Sequence, residues 1–140
     1  MAKAAVVFWS GTGNTEAMAN AVADGAKNAG LEVDMFQAAE FNSGMVGNYD
    51  AIAFGCPSMG VEVLEEGEMQ PMWDEVKGFL NGKRIALFGS YGWGDGEWMR
   101  NWNEEAEAAG AIMAADFVIC NDAPDDEAVA ACEALGAALK

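Results

Sequence analysis

The chain has 140 residues, 52% of them apolar, with 23 acids against 7 bases, no His and a net charge of −16. That length makes one domain, residues 1–140, able to bury a real core, while the charge argues against nucleic acid as a partner, because phosphate repels such a surface. No apolar run approaches the ~18 residues of a membrane span, the N-terminus lacks a signal-peptide pattern, and Cys56, Cys120 and Cys132, odd in number and without a C-x-x-C pair, fit a reducing cytoplasm and argue against disulfide, zinc and haem.

Strands and helices alternate along the chain. Residues 3–8 read as a first buried strand. A helix over about 14–29 carries Met18, Val22, Ala26 and Ala29 on one face and stops at Gly30. Leu31 to Phe36 is a second strand. Residues 37–49 hold only a short, poor helix and turns. Residues 51–55 form a third buried strand. Pro71 suits the first turn of a helix whose face is Met72, Val76 and Phe79/Leu80. Residues 84–89 form a fourth strand, and a helix over about 97–108 carries Trp98 and Trp102 as core. Ala111 to Ile119 is a fifth strand. Pro124-Asp125-Asp126 opens a last helix that turns Val129, Cys132, Leu135 and Leu139 inward. Five such units imply a three-layer, doubly wound α/β fold: a five-stranded parallel sheet with helices on both faces.

Ligands in such sheets bind beyond the carboxyl ends of the strands, at the point where the strand order reverses. In the order 2-1-3-4-5 that point lies between the first and third strands, so loops 9–15, 56–62 and 90–95 can share one crevice. The first loop, Trp9-Ser10-Gly11-Thr12-Gly13-Asn14-Thr15, joins a strand to a helix. It offers hydroxyls and amides at the positive end of a helix, which is a ready phosphate site. No Lys or Arg occurs between Lys3 and Lys27, so this is not the loop of a nucleotide hydrolase, and the dinucleotide fingerprint also fails. Taken alone, the stretch is also compatible with a tight turn and a Ser/Thr cap.

The second loop is Cys56-Pro57-Ser58-Met59-Gly60-Val61-Glu62. Met59 offers a soft, polarisable surface to a flat ring, or folds back onto the core. Gly60 can take positive φ, and Glu62 can accept from a ring N–H or sit as a solvated acid. The third loop, Ser90-Tyr91-Gly92-Trp93-Gly94-Asp95-Gly96, sets two aromatics among glycines, which suits stacking on another ring better than core packing. A phosphate on a short tether to a large flat heterocycle satisfies all three loops, and flavin mononucleotide (FMN) has that shape.

Together the three loops resemble the FMN-binding loops of flavodoxins, most closely the short-chain flavodoxins of anaerobic bacteria, and the likeness spans essentially the whole chain in order. The resemblance implies that Ser10, Thr12, Asn14 and Thr15, with the amides of Gly11 and Gly13, hold the phosphate. It implies Met59 on the inner face of the ring, Trp93 on the outer face and Glu62 on the ring N3–H. The Gly60 carbonyl would turn toward N5 on reduction, and the amides around Val61, Gly92 and Trp93 would face the pyrimidine edge. Pro57, Ser58, Ser90, Tyr91 and Gly94 complete the predicted cofactor site. Pro57 stands where some relatives carry Ser and has no hydroxyl to give. Val61 stands where several carry a polar residue.

The resemblance also implies a function: low-potential electron transfer between redox enzymes on non-covalently bound FMN, by a carrier that is not itself an enzyme. An FMN-dependent reductase would need substrate-binding insertions or a covering dimer interface, and neither is evident. A phosphatase on this fold would need C-x5-R, and a phosphoryl receiver would need acids where Trp9-Ser10 stands. The acidic balance favours redox proteins with basic docking surfaces as partners. A cytoplasmic monomer that binds no metal, membrane or nucleic acid is expected.

Overall fold

The alternation of apolar strands and amphipathic helices becomes one parallel sheet. The computed structural model describes residues 2–140. In it β1 (Lys3–Phe8) leads into α1 (Asn14–Asn28), β2 (Glu32–Gln37), β3 (Ala51–Gly55), α2 (Met69–Val76), β4 (Arg84–Tyr91), α3 (Glu97–Ala108), β5 (Ile112–Met113), β6 (Val118–Asn121) and α4 (Asp126–Ala138). The strand order is β2-β1-β3-β4-β5, with β6 also on β4, and every pairing is parallel. The doubly wound order expected from the sequence is therefore present. Residues 37–49 hold only two 3₁₀ turns, Ala38–Glu40 and Ser43–Asn48.

The fifth position differs from expectation. Instead of one strand over 111–119, β5 and β6 pair with opposite ends of β4, and the chain leaves the ladder between them. Ala114, Ala115 and Asp116 are poor strand formers, and an edge position has a neighbour on one side only. β4 also runs two residues beyond 89, so Ser90 and Tyr91 end a strand, paired with Cys120 and Asn121. Phe79 does not join the buried face expected of it. The helix ends at Val76, and a 3₁₀ turn at Lys77–Phe79 leaves Phe79 exposed while Leu80 goes in. Ala29 and Val129 are only half-buried.

Period-two alternation divides the core between the two faces of the sheet. Ala5, Val7, Ile52, Phe54, Ile85 and Leu87 belong to one cluster with Trp73, Trp98 and Trp102 of α2 and α3. Trp73 and Trp102 meet edge to face at 5.6 Å, so Trp98 and Trp102 are core residues, as the sequence indicates. Ala4, Val6, Ala53, Ala86 and Phe88 belong to the other, with Met18 and Val22 of α1 and Cys132 and Leu135 of α4. Small strand residues dominate that side, and α1 and α4 touch backbone to backbone there. A Cβ on Gly25 would lie 1.9 Å from the Glu133 carbonyl oxygen, and one on Gly136 would lie 1.9 Å from that of Val22. Both positions therefore demand glycine.

Candidate functional site

At the carboxyl ends of the strands, the loops after β1, β3 and β4 enclose a crevice of about 250 Å³. Nine predicted residues line it: Gly11, Thr12 and Asn14 from the first loop, Pro57, Ser58 and Met59 from the second, and Ser90, Tyr91 and Gly92 from the third. Trp9, at the head of the first loop, and Asp122 line it as well, though neither belongs to the predicted cofactor site. Trp9 ends the β1 ladder, its amide donating to the Gly55 carbonyl at 3.0 Å. Asp122 follows β6 with φ 57°, and its carbonyl accepts from the Ser90 hydroxyl at 2.6 Å. The turn-forming run Asn121-Asp122-Ala123-Pro124 was the available signal for it. With the fifth strand ending at Ile119 and the last helix opening at Pro124, residues 120–123 carry no assignment.

The first loop is a cradle of amides and hydroxyls. Gly11, Thr12 and Gly13 are exposed, and Gly13 takes φ 94° immediately before α1. The Ser10 Oγ accepts from the amides of Gly13 at 3.1 Å and Glu16 at 3.2 Å, which caps the helix and leaves the Ser10 proton free to donate. Thr15 is 1% exposed, and its hydroxyl has no protein partner. A buried hydroxyl left unpaired costs free energy. At a helix N-terminus, among exposed glycine amides, its natural complement is an anionic oxygen. These residues fit the phosphate of FMN without a cation.

The second loop is a tight hairpin. Met59 and Val63 exchange both backbone hydrogen bonds, at 2.9 and 3.0 Å, around the tip Gly60-Val61-Glu62. Gly60 has φ 52° and open space around it, and Val61 is 81% exposed. Glu62 is no solvated acid. It is 9% exposed, with φ 56°, and its Oε1 accepts from the amides of Asp95, Gly96 and Glu97, each at 3.2 Å. One carboxylate oxygen of the second loop thus caps α3 and anchors the third loop, leaving Oε2 for a further donor. Gly94 provides the space, since a Cβ there would lie 2.3 Å from that Oε1.

Just beyond Glu62, two more acids, Glu65 and Glu68, bind neighbouring elements. Glu65 accepts from the amides of Gly67, Glu68 and Met69 at 2.7, 2.7 and 3.0 Å and so caps α2. Burial works to raise the Glu65 pKa, but the three amides outweigh it and hold the carboxyl below its ordinary range. Glu68 accepts from the Trp9 indole N–H at 2.9 Å. In the third loop Tyr91 packs on Trp98 with ring centroids 5.7 Å apart, whereas Trp93 is 62% exposed. Cys56, behind the crevice, is fully buried, and burial pushes its thiol up to about 12, so it offers no nucleophile. Among the described residues no cluster of His, Cys, Asp and Glu could hold a metal ion.

Comparisons with known proteins identify the family of the chain. The family model described as flavodoxin matches residues 6–135. The chain is 42% identical to a flavodoxin of Megasphaera elsdenii over 133 residues, 95% of each chain. It is also 42% identical to one of Clostridium beijerinckii, covering 86% of this chain and 88% of that one. The solution structure of two-electron reduced Megasphaera elsdenii flavodoxin superposes with a TM-score of 0.89 over 97% of both chains. A flavodoxin from the domain Archaea, 28% identical, gives 0.86 over 98% of this chain and 95% of that one. The chain therefore belongs to the flavodoxin family, whose members carry electrons on bound FMN and are not enzymes.

Proposed function

We propose that the three loops divide the work of holding FMN as their chemistry suggests, and that the acidic end of the molecule docks basic redox partners. FMN supplies the redox chemistry; the protein supplies binding, orientation and field. Ser10, Thr12, Asn14 and Thr15, with the amides of Gly11 and Gly13, take the phosphate. The unpartnered, buried Thr15 hydroxyl is the observation that carries this assignment. Met59 and Trp93 flank the ring, Glu62 Oε2 accepts from its N3–H, and the Gly60 peptide, unencumbered at the hairpin tip, is free to rotate. The amides of Val61, Gly92 and Trp93 border the pyrimidine edge, and Pro57, Ser58, Ser90, Tyr91 and Gly94 complete the walls.

The distribution of charge supports the docking face. Lys3, Lys83 and Arg84 lie at the amino ends of strands, and Lys27, Lys77 and Lys140 lie at the carboxyl ends of helices. All six are therefore at the end opposite the crevice. Arg100, in the first turn of α3, lies at the crevice end and is tied to Asp95 at 2.9 Å. A basic partner is steered toward the crevice end. The net charge of −16 opposes self-association, which favours a monomer, and three unpaired thiols suit the cytoplasm.

Trp93→Ala tests the ring assignment. Loss of stacking should weaken FMN by about 0.5–1.5 kcal/mol beyond lost area, with little change in the unfolding of the apoprotein. Trp102→Ala, in the core, should do the reverse. An unchanged FMN dissociation constant in Trp93→Ala would remove Trp93 from the site.

A further inference from the structure

We infer that Trp9 and Glu68 form a strut between the phosphate loop and the start of α2, just beyond the ring-flanking loop, and that this strut sets the span of the crevice for a ligand that must reach both loops. The inference rests on the assignment of the first loop to phosphate and the second to the ring. Trp9 is the last residue before Ser10, and Glu68 is the last before α2. They are 59 positions apart, and the indole Nε1–H donates to Glu68 Oε1 at 2.9 Å.

Both partners are fixed from behind. The Trp9 amide is held by the Gly55 carbonyl, and its ring lies against Gly11, where a Cβ would come within 3.1 Å of the indole. The Glu68 amide is held by Glu65 Oε1 at 2.7 Å, and the Glu68 carbonyl accepts from Met72 at 3.2 Å. The indole therefore joins two preset pieces of backbone. Trp9 also lines the crevice, together with Gly11, Thr12 and Asn14 of the first loop and Pro57, Ser58 and Met59 of the second. A phosphate tethered to a ring by a short chain must bridge those two groups.

Such a strut has a characteristic signature. A ligand held by one loop alone does not sense the spacing between the loops, whereas a ligand held by both does, because geometry set before binding need not be fixed during it. The acceptor on Glu68 matters here and its charge does not. Gln keeps an oxygen for the indole to reach; Ala does not.

The test uses the apoprotein with FMN and riboflavin as probes. In the parent, FMN should bind more tightly than riboflavin; equal affinities would overturn the phosphate assignment and the strut with it. Glu68→Ala should weaken FMN about tenfold and riboflavin less than about twofold, the loss expected of one ordinary hydrogen bond acting on a bridging ligand. Glu68→Gln should restore FMN binding. Trp9→Phe should resemble Glu68→Ala, and the double variant should be no weaker than Trp9→Phe alone. Independently of any ligand, the indole N–H proton resonance that disappears in Trp9→Phe should move upfield in Glu68→Ala. Equal losses for both flavins, a Glu68→Gln variant as weak as Glu68→Ala, or an unmoved indole resonance would each overturn the strut.

Discussion

Glu62→Ala should destabilise the protein even with no flavin present. The Glu62 carboxylate takes three amide bonds at 3.2 Å at the start of α3, and the Gly96 amide among them is buried. Loss of a helix N-cap side chain costs about 1 kcal/mol. Removing a negative charge from the positive end of a helix costs about 0.5–1 kcal/mol more. Stranding the buried amide adds about 1 kcal/mol. The sum, about 3 kcal/mol, corresponds to a fall in melting temperature of about 9 °C for a domain of this size. Glu62→Gln keeps an acceptor oxygen and loses only the charge, so it should fall by about 3 °C. Thermal unfolding of the two apoproteins, followed by far-ultraviolet circular dichroism, reads the difference. If Glu62 acted only on the cofactor, both apoproteins would melt within about 2 °C of the parent, and the capping role would be refuted.

Thr15→Val replaces an unpartnered buried hydroxyl by a methyl group of the same shape, so the apoprotein should melt no lower than the parent. FMN should nonetheless weaken by about 1.5–3 kcal/mol and riboflavin hardly at all; equal losses for the two would show that Thr15 does not meet the phosphate. Gly136→Ala drives a methyl group to within 1.9 Å of the Val22 carbonyl oxygen, and α1 and α4 must part, at a cost of about 3 kcal/mol in urea unfolding; a smaller loss than 1 kcal/mol, the low end of such overpacking costs, would mean the helices slide without strain. The Glu65 pKa is depressed in the folded state. Its contribution is therefore fully present above the unfolded value of about 4.3 and is lost as pH falls through the lower folded value. The stability gap between parent and Glu65→Ala, measured by urea unfolding, should close across that acid window; a gap that persists to lower pH would refute the cap.

The sheet order was legible because each strand is a short apolar run and each helix carries its own start and stop. Gly30 takes φ 100° just past α1, and the Asp125 side chain caps α4 by accepting from the Ala128 amide at 2.8 Å. The split of the fifth strand was not legible. Ala111 to Ile119 is apolar enough for a strand, and it takes the absence of an outer neighbour, added to the weak strand propensity of Ala114, Ala115 and Asp116, for Ala115 to Phe117 to leave the ladder. At the site, the loops and their residues were legible, but the partners inside them were not. Glu62 reads as an acceptor for a ring N–H or as a solvated acid, the first of the run Glu62, Glu65, Glu66 and Glu68. Yet one caps α3, one caps α2 and one holds Trp9. Those partners lie 33 residues away, three residues away and 59 residues away, and no local pattern separates the three cases.

The same distinction decides which acids set the potential of the cofactor. A second electron taken up by bound FMN without a proton would add negative charge to the ring region, and the surrounding carboxylates would oppose it. At an effective dielectric of about 20, one unit charge at ~10 Å costs about 1.7 kcal/mol before salt screening, or roughly 70 mV for a one-electron step. Each of Glu62 and Glu65 faces three amide dipoles that offset part of its field, and Asp95 is paired with Arg100. Substituting Glu62 or Glu65 changes both charge and structure, so a shifted potential there has two explanations. Glu66 is exposed and lies within the same loop. Glu66→Gln should therefore raise the second one-electron potential by tens of millivolts, up to the roughly 70 mV above. The shift should shrink as salt rises and leave the melting temperature unchanged. A potentiometric titration at two ionic strengths measures it, and a salt-independent shift, or none, would mean that bound dipoles rather than free carboxylates govern the step.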